Sequence, residues 1–538
     1  MRIVEQHLLS MLLLTPVAGA IALLMVDRRR EGAIRGIAAG AATLGMVVAT
    51  ALAVRFEPFG APWQFVERIE LLRPIGAGYV VGVDGVSVLL ILTMTFLSAA
   101  AVLASEPAAI GSARDYYMLL LLLQGACVGV FIALDAVLFV ACWVWMLSAM
   151  HAFVVRWGGV ERRSLATRFA AHAAGGSVMV AGGILAIYVI NHAATGTYTF
   201  DVTQFHRLSV PPGAQRWIFL TLLFGFVLSV PVIPLRWIAA FFAHAPIAPS
   251  VMMAAGLLKA GGYGLMRFSL PILPGAAHEF APFIAAAAIA AIAGGAAAVV
   301  ALPDWKRAIG FWSVSQLGVI LLGLFGLTPA TLSGSIVQQV NHAVVAGALV
   351  LLAAPVGGRT SKVEPAGHEA TRWTPMLAAA FVFFTLAAIG IPGLGGFVGQ
   401  LIVLQSLFGV HPLWTIAAVG ASVFSAVCML RLHGRATPGK SGEAAPASGR
   451  ALSMLLSLAA ATVWIGIHPA PVLRAAQSSV GRVAVRVSPE YGAAIAQAEA
   501  ECNASAVATP PSDAPAGLMA APPCDTPGAS SVPGSPGR

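Results

Sequence analysis

The sequence predicts an all-α polytopic membrane protein, and three observations lead to that class. Hydrophobic residues make up 58% of the 538-residue chain and charged residues 10%, far below the roughly 25% charged residues of globular proteins. Apolar runs of about 20 residues recur through most of the chain, and each is long enough to cross a bilayer. The runs are continuous and do not alternate apolar with polar residues, as the strands of a transmembrane barrel do.

Window length predicts about fourteen transmembrane helices. Each predicted span is an apolar run bounded by polar or helix-breaking residues. We expect these spans near residues 8–26, 33–55, 80–104, 116–133, 136–156, 168–190, 215–235, 247–268, 281–301, 307–327, 331–355, 375–406, 411–431 and 450–468. The long apolar core of the first span is followed by Asp-Arg-Arg-Arg-Glu, so we interpret it as a retained helix and not as a cleaved signal peptide.

Composition divides the chain into five regions. Residues 1–110 hold the N-terminal transmembrane helices, and residues 111–433 form the core. Residues 434–450 have linker composition and predict a mobile loop, and residues 451–487 contain the last transmembrane helix and its flank. From 488 to 538 the chain is rich in Ala, Pro and Ser, and it has too few large apolar residues to offset the entropy of ordering. We therefore expect a disordered tail.

The net charge of +9 does not indicate a nucleic-acid partner, because the basic residues stand singly or in short clusters beside apolar segments. Such clusters are typical of topology signals in membrane proteins, whose partner is the lipid bilayer. The five cysteines have no metal-type or paired spacing. We also find no glycine-rich nucleotide motif and no spacing typical of haem or iron–sulfur ligation, so the sequence predicts no cofactor bound by this chain.

One lysine, Lys259, lies near the middle of the apolar stretch 250–274, in a helix that Gly261, Gly262 and Gly264 would loosen. A charge at the centre of a bilayer costs about 2.5 to 3.5 kcal/mol on insertion scales unless it faces water or the protein interior. Lys259 therefore either lies in a water or proton pathway or is a lysine held by helix-end carbonyls, and polar groups are expected around it.

Two predicted helices are interrupted by proline. The first contains Pro231 and Pro234, and the second contains Pro392 beside Gly393, Gly395 and Gly396. Proline removes a backbone donor, so a break inside the membrane persists only where protein or water satisfies the freed carbonyl groups. A pair of broken helices in two halves indicates an inverted-repeat transporter. The alternative is that both are kinked packing helices.

Seven sequence blocks, in the same order, resemble the M-type antiporter-like subunit of respiratory complex I, over roughly residues 78 to 473. The superfamily also contains the D-type subunits of multisubunit sodium/proton antiporters and membrane hydrogenase subunits. The blocks are LLLLLQGACVGVFIALDAVLFVACWVWML, VPVIPLRW, AAGLLKAGGYGLMRFSLPILP, PDWKRAIGFWSVSQLGVILLGLF, VNHAVVAGAL, GIPGLGGFVGQLIVL and GIHPAPVL.

The resemblance implies about fourteen helices with two inverted five-helix repeats, each containing one broken helix. It also implies proton translocation driven by quinone reduction elsewhere in the complex. Lysine, glutamate and histidine side chains along the membrane mid-plane would carry the protons. The partners would be other membrane-arm subunits, with quinone and NADH bound only through those subunits. The location would be the bacterial inner membrane.

The chain departs from the family pattern at four functional positions. The glutamate of the fifth helix falls on Val144, and the lysine before the first proline pair falls on Ser229. A histidine falls on Gln316, and the glutamate after the second break falls on Gln400. Lys259 and His342 remain from the family set. An ion-pair mechanism needs a carboxylate close to the lysine, so these substitutions indicate a weakened pumping path.

An inventory of the acidic residues supports the same interpretation. Every carboxylate between residues 120 and 400 is predicted in a loop or at a span end, namely Asp135, Glu161, Asp201, Glu279, Asp304, Glu364 and Glu369. His342 is either a proton relay near neutral pH or a packing histidine. Ser229, Gln316 and Gln400 cannot titrate usefully but can hold water or cross-link helices.

Arg236 follows the first proline break and is either a pathway residue or an interface arginine. At the level of the whole chain, three other functions stay open. They are a subunit of a cation/proton antiporter, a subunit of a hydrogenase or inorganic-carbon uptake complex, and a purely structural spacer. The antiporter would need an intramembrane carboxylate, which the inventory does not contain.

Overall fold

The computed structural model describes residues 7–105, 111–159, 161–229, 236–301, 304–352, 372–435, 444–445 and 449–497. Helices account for most of this part of the chain. In chain order they are α1 (Leu8–Leu24), α2 (Glu31–Arg55), α3 (Gly85–Ala104), α4 (Ala113–Ile132), α5 (Ala136–Trp157), α6 (Arg162–Thr195), α7 (Val202–Phe205), α8 (Pro212–Ser229), α9 (Arg236–His244), α10 (247–269), α11 (Pro274–Ala301), α12 (Trp305–Leu324), α13 (Pro329–Leu351), α14 (Pro375–Ile389), α15 (Gly395–Phe408), α16 (Pro412–Arg435), α17 (Gly449–Ile467) and α18 (Ala470–Val487).

The predicted membrane-spanning class is confirmed. Among the described residues, ten helices are long and apolar enough to cross a membrane, and four shorter apolar helices accompany them. Each of the fourteen predicted spans contains helix; the twelfth is interrupted, and the end of the seventh lies outside the described residues. The tail after residue 497 and most of the loop 434–450 lie outside the described residues, so those two expectations stay predictions.

The segment between α2 and α3, which lies between the second and third predicted spans, forms strands that the sequence analysis did not predict. Residues Gln64–Leu72 (β1) and Ala77–Val83 (β2) pair as an antiparallel hairpin, with the 3-10 turn Arg73–Ile75 between them. Both strands are rich in Val, Ile, Phe and Tyr, which favour a pleated, half-buried surface. The third helix consequently begins at Gly85 and not near residue 80, because Asp84 accepts a hydrogen bond from the Ser87 backbone and caps its N-terminus.

A second correction concerns residues 470–487, which the sequence analysis placed in the flank of the last span. They form α18, a helix with one buried face that includes Val472, Ala476, Val480 and Val483. These residues recur every three or four positions, the period of an amphipathic helix. The pattern was visible in the sequence, but its low mean hydropathy excluded it from a search for spans.

Two more short strands, β3 (Arg372–Trp373) and β4 (Ala444–Ala445), pair in parallel. They bring the segment before α14 beside the segment before α17. The sequence analysis did not predict this pairing, which joins two segments that are distant in sequence.

The second broken helix has the predicted form. α14 ends at Ile389 and α15 begins at Gly395, and the chain between them passes through Gly390 and Gly393 with φ angles of 79° and 88°. Only glycine adopts such angles at little cost. The first break, with Pro231 and Pro234, falls within 230–235, outside the described residues; α8 ends before it and α9 begins after it.

Each end of the helix bundle has its own set of polar contacts. At the hairpin end, Glu67 of β1 accepts hydrogen bonds from the backbone N–H groups of Leu9 (2.9 Å) and Ser10 (3.0 Å) and so caps α1. At the opposite end, which we call the arginine end, Asp115 lies between Arg28 and Arg156. Most of the long helices run from one end to the other.

We expect Glu67→Gln to destabilise the fold through its effect on α1. The substitution removes the charge that the buried carboxylate presents to two backbone donors, so the expected loss is about 1–3 kcal/mol of unfolding free energy. Thermal unfolding of the full chain in detergent measures it. Glu70→Gln is the control, because Glu70 is exposed and pairs only with the exposed Arg73. Equal melting temperatures for the two variants would contradict the prediction.

Candidate functional site

Lys259 is fully buried in the middle of α10, and its partner is a histidine. The Nζ atom of Lys259 is in direct contact with Nδ1 of His342 on α13. Both residues are predicted site residues, and the structure brings them together. The sequence analysis expected polar groups around the lysine but did not predict this pair.

The position of His342 is set by its own helix and by α12. Its ring stacks on the indole of Trp312, with 5.3 Å between the ring centroids and 27° between the planes. α13 is buried along its length and begins with a capping box formed by Thr328 and Thr331. The Trp312 ring on one face of the imidazole and the buried helix that carries His342 therefore hold the imidazole against the lysine.

The helix around Lys259 is irregular. Two π-helical segments, Met253–Leu257 and Leu265–Ser269, flank the α-helical turn Leu258–Gly264 that carries the lysine. π-helical segments are frequent at functional sites, because they shift the backbone hydrogen bonds out of the regular ladder. Gly262 allows a close approach on the same turn: a Cβ atom there would lie 3.1 Å from Oε1 of Gln339.

A row of polar side chains on α13 extends from the pair. Gln338 donates a hydrogen bond to Gln316 of α12 (2.7 Å), and Asn341 donates to the backbone carbonyl of Gly395, at the start of α15. Several buried polar atoms near these bonds have no partner within the described part of the chain. They are Oε1 of Gln338, both amide atoms of Gln339, Nε2 of His342 and Oγ of Ser313. Buried polar groups are rarely left unpaired, so water is expected beside them.

No described carboxylate lies beside Lys259. Those described between residues 120 and 400 sit at or near helix ends: Asp135, Asp201 and Asp304 cap helices, Glu161 precedes α6, and Glu279 near the start of α11 pairs with Arg216. Glu364 and Glu369 fall outside the described residues. No group of three or more His, Cys, Asp or Glu side chains that could hold a metal occurs in the described residues.

The other predicted site residues are not gathered at the pair. Val144 points outward on α5, with 43% of its surface exposed. Gln400 is half-buried on α15, with its amide oxygen beside Gly390. Ser229 ends α8 and Arg236 begins α9; their side chains fall outside the description. Of the three substituted positions whose side chains are described, Val144, Gln316 and Gln400, Gln316 is the one that hydrogen-bonds to α13.

Sequence reasoning missed a second buried cluster, at the hairpin end. Arg267 lies two turns after Lys259 on α10 and binds both oxygens of Asp84, at 3.0 and 3.1 Å. Arg482 of α18 binds the same carboxylate at 3.1 Å, and the Trp63 ring lies 4.4 Å from the Arg267 guanidinium carbon. An arginine inside the apolar stretch LMRFSL was the available signal, but its partner is distant in sequence.

This cluster ties the end of α10 to three other elements. Burial alone would raise the pKa of the Asp84 carboxyl, but the guanidinium groups of Arg267 and Arg482 hold that pKa well below its usual range. His206, in the loop after α7, contacts the Arg267 carbonyl oxygen at 2.8 Å. Burial lowers the pKa of His206 to about 4.

The lowered pKa of His206 predicts acid sensitivity of the cluster. The unfolded chain takes up this proton near pH 6.5 and the folded chain only near pH 4, so stability falls as the pH drops between these values. The melting temperature of the full chain in detergent should therefore fall between pH 6.5 and 4, and less steeply for His206→Gln. A control is His7→Gln, because most of the His7 side chain is exposed. Identical pH profiles for His206→Gln and the unsubstituted chain would contradict this.

In chemical terms, the Lys259 and His342 pair can hold one proton and pass it between two nitrogen atoms. Two positive charges in contact would repel strongly in a low-dielectric interior, so the two groups titrate as a coupled unit. The amide atoms of Gln338 and Gln339 that have no partner among the described residues continue the row of polar groups from the pair along α13. This row leads towards α15. The arrangement suits proton transfer within the pair. No carboxylate among the described residues lies beside the pair to attract the proton away from it.

Comparison with known proteins identifies the family to which this sequence and fold are similar. Residues 133–425 match the family described as NADH:quinone oxidoreductase/Mrp antiporter, transmembrane. NADH-quinone oxidoreductase subunit M of Pseudomonas aeruginosa is 32% identical over 436 residues, which cover 79% of this chain and 86% of that protein. F(420)H(2) dehydrogenase subunit M of Methanosarcina mazei is 30% identical over 478 residues, 86% of this chain and 95% of that protein.

A similar fold occurs in a solved structure of respiratory complex I from Thermus thermophilus with bound NADH. One chain of it superposes with a TM-score of 0.78 at 24% identity, and the match covers 88% of this chain and 99% of that chain. At this level of identity, the likeness shows the fold alone.

Proposed function

Because the chain belongs to the NADH:quinone oxidoreductase/Mrp antiporter family of transmembrane proteins, we propose that it is a membrane-arm subunit of an NADH:quinone oxidoreductase or of a related assembly. Its family role is proton translocation coupled to quinone reduction. The observation that carries the proposal is the Lys259–His342 contact inside a fold shared with subunit M relatives along most of their length. Other membrane-arm subunits are its partners, and NADH and quinone bind to those partners.

In this proposal the Lys259 and His342 pair is what remains of the proton path. The buried polar atoms of Gln338, Gln339 and Ser313 that have no partner among the described residues would hold water between the pair, the Gln316–Gln338 hydrogen bond and the break before α15. Glutamines conduct only by reorienting, because they do not change charge. The charge-driven step that a carboxylate would supply is missing at Val144 and Gln400, so the path is weakened and the subunit serves largely as a spacer.

The same proposal includes a location and an orientation. Among the described residues, more basic side chains lie at the arginine end than at the hairpin end, and short segments rich in arginine stay on the cytoplasmic side of a membrane. The arginine end therefore faces the cytoplasm of a bacterial inner membrane, and the hairpin end faces outward. The basic residues within or close to this end are Arg28, Arg29, Arg30, Arg35, Arg114, Arg156, Arg162, Arg163, Arg168, Lys306, Arg307, Arg431, Arg435 and Arg450.

Single-cysteine labelling tests the orientation. Ser209 is exposed at the hairpin end and Ser164 at the arginine end. With Cys502 and Cys524 changed to serine, we expect Ser209→Cys to react with a membrane-impermeant maleimide in intact spheroplasts, and Ser164→Cys to react only after permeabilisation. The reverse pattern would refute the assigned orientation.

We expect Lys259→Ala to have little effect on coupled turnover, changing it by less than about twofold, because the lysine lacks a carboxylate partner. Quinone reduction and proton uptake by the assembled complex in liposomes measure it. Lys306→Ala, at the arginine end of α12, is the control for loss of a lysine. A severe loss of proton transfer by Lys259→Ala alone, with assembly intact, would show that the path is still complete.

Assembly itself can be tested with the full chain. Affinity purification from native membranes in mild detergent should recover other membrane-arm subunits and NADH:quinone oxidoreductase activity. Recovery with a different electron-input module would support the second candidate, a related energy-converting assembly, which the likeness to F(420)H(2) dehydrogenase subunit M favours. Recovery of the chain with cation/proton exchange activity and no redox partner would overturn the proposal in favour of an antiporter.

A further inference from the structure

At the arginine end we propose a binding site for the phosphate group of an anionic phospholipid, formed by Arg28, Arg114 and Arg156 around Asp115. We call these four residues the arginine cluster. They come from the loop after α1, the first turn of α4 and the last turn of α5. The site is independent of the proton path described above.

The distances within the arginine cluster leave its donor groups available. Asp115 lies 3.9 Å from a guanidinium nitrogen of Arg28, 3.9 Å from Nε of Arg114 and 3.5 Å from a guanidinium nitrogen of Arg156. All three distances exceed those of an N–H···O hydrogen bond. Three cationic groups therefore converge on one carboxylate that satisfies none of them directly.

Arg114 gives an independent sign of a missing partner. Its Nε atom is buried and has no hydrogen-bond partner in the described part of the chain, and only 18% of its side chain is exposed. An unpaired buried donor on a charged group is unfavourable, so a further acceptor is expected there. A phosphate group offers several oxygen acceptors, and guanidinium groups bind it through paired N–H groups.

The charges around the cluster also favour an anion. The neighbouring loop adds Arg29 and Arg30, while its acidic residues are Asp27 and Glu31. Asp27 accepts a hydrogen bond from the Arg29 backbone N–H at 3.0 Å. The arginines thus outnumber the carboxylates, and the excess positive charge has no protein anion to balance it among the described residues.

The surroundings identify the anion as a lipid headgroup and not a soluble ion. The Trp157 ring lies 6.0 Å from the Arg156 guanidinium carbon and stacks edge-on against Tyr116, and such aromatic side chains are typical of the bilayer interface. Leu24 and Met25, which precede the Arg28 loop, are 56% and 89% exposed. Acyl chains can pack on these apolar side chains while the phosphate reaches the arginines, as in other cytoplasmic-side basic pockets.

Binding of dioleoyl-phosphatidylglycerol to the delipidated full chain in detergent tests the proposal, with dioleoyl-phosphatidylcholine and inorganic phosphate as comparison probes. We expect the double variant Arg28→Gln/Arg156→Gln to bind phosphatidylglycerol about thirtyfold more weakly, because each interfacial arginine contributes roughly a factor of five. Arg162→Gln/Arg163→Gln is the matched control: it removes two arginines at the same end, outside the cluster, and should change binding by less than about threefold.

Asp115→Asn should tighten phosphatidylglycerol binding severalfold, because it removes the carboxylate that repels the phosphate. A misfolded variant would not bind more tightly, so this result separates the site from misfolding. Equal losses in the two double variants would overturn the site in favour of diffuse surface attraction. Binding of inorganic phosphate as tight as that of phosphatidylglycerol would overturn the lipid assignment, and so would equal binding of phosphatidylcholine. If a partner subunit covers the arginine cluster and phosphatidylglycerol does not bind there, the proposal is overturned, and the anion is a carboxylate of that subunit.

Discussion

The contact between Lys259 and His342 is the constraint on which the rest of the core depends. A lysine at the middle of a bilayer-spanning helix is tolerated only with a polar partner or water, and here a neutral imidazole can supply the partner. To bring the two groups together, α10 departs from regular α-helix on both sides of the lysine, and α13 is buried along its length. The Trp312 ring fixes the imidazole from the other side.

The hairpin-end cluster complements this arrangement, because it holds the far end of the same helix. Arg267 binds Asp84 at the start of α3, and Arg482 brings α18 onto the same carboxylate. Removing one member of such a buried network leaves an uncompensated charge, typically at a cost of about 3–5 kcal/mol. α10 is therefore irregular where it carries the lysine and firmly anchored where it leaves the membrane. This combination suits a helix that must hold one charged side chain at a fixed depth.

Sequence reasoning predicted the membrane class, the location of the spans and the second broken helix, because long apolar runs and proline–glycine breaks are local signals. The hairpin was missed because a search for long apolar runs does not detect strands that contain charged residues, such as Gln64–Leu72. α18 was missed because it is amphipathic rather than apolar. At the site, Lys259 and His342 were predicted individually, and their contact was not. Contacts between residues 83 positions apart, such as this one, depend on how the helices pack, and no single-sequence pattern encodes that.

Helix packing also decides where the side chains at the substituted positions lie. Gln316 joins a buried hydrogen bond with Gln338, whereas Val144 faces outward and Gln400 is only half-buried. The residues that would supply negative charge are therefore absent in two separate places, and no described carboxylate from a neighbouring helix compensates for them. The pair can hold a proton, but the protein around it offers little that would drive the proton away.

The central claim is that this subunit contributes less to proton translocation than its fold would allow. The most direct measurement is the number of protons moved per electron pair by the purified assembly in sealed liposomes. It should be compared with an assembly whose corresponding subunit carries the intramembrane carboxylates. The account predicts a smaller number for the assembly that contains this chain. Equal numbers under the same conditions would contradict it.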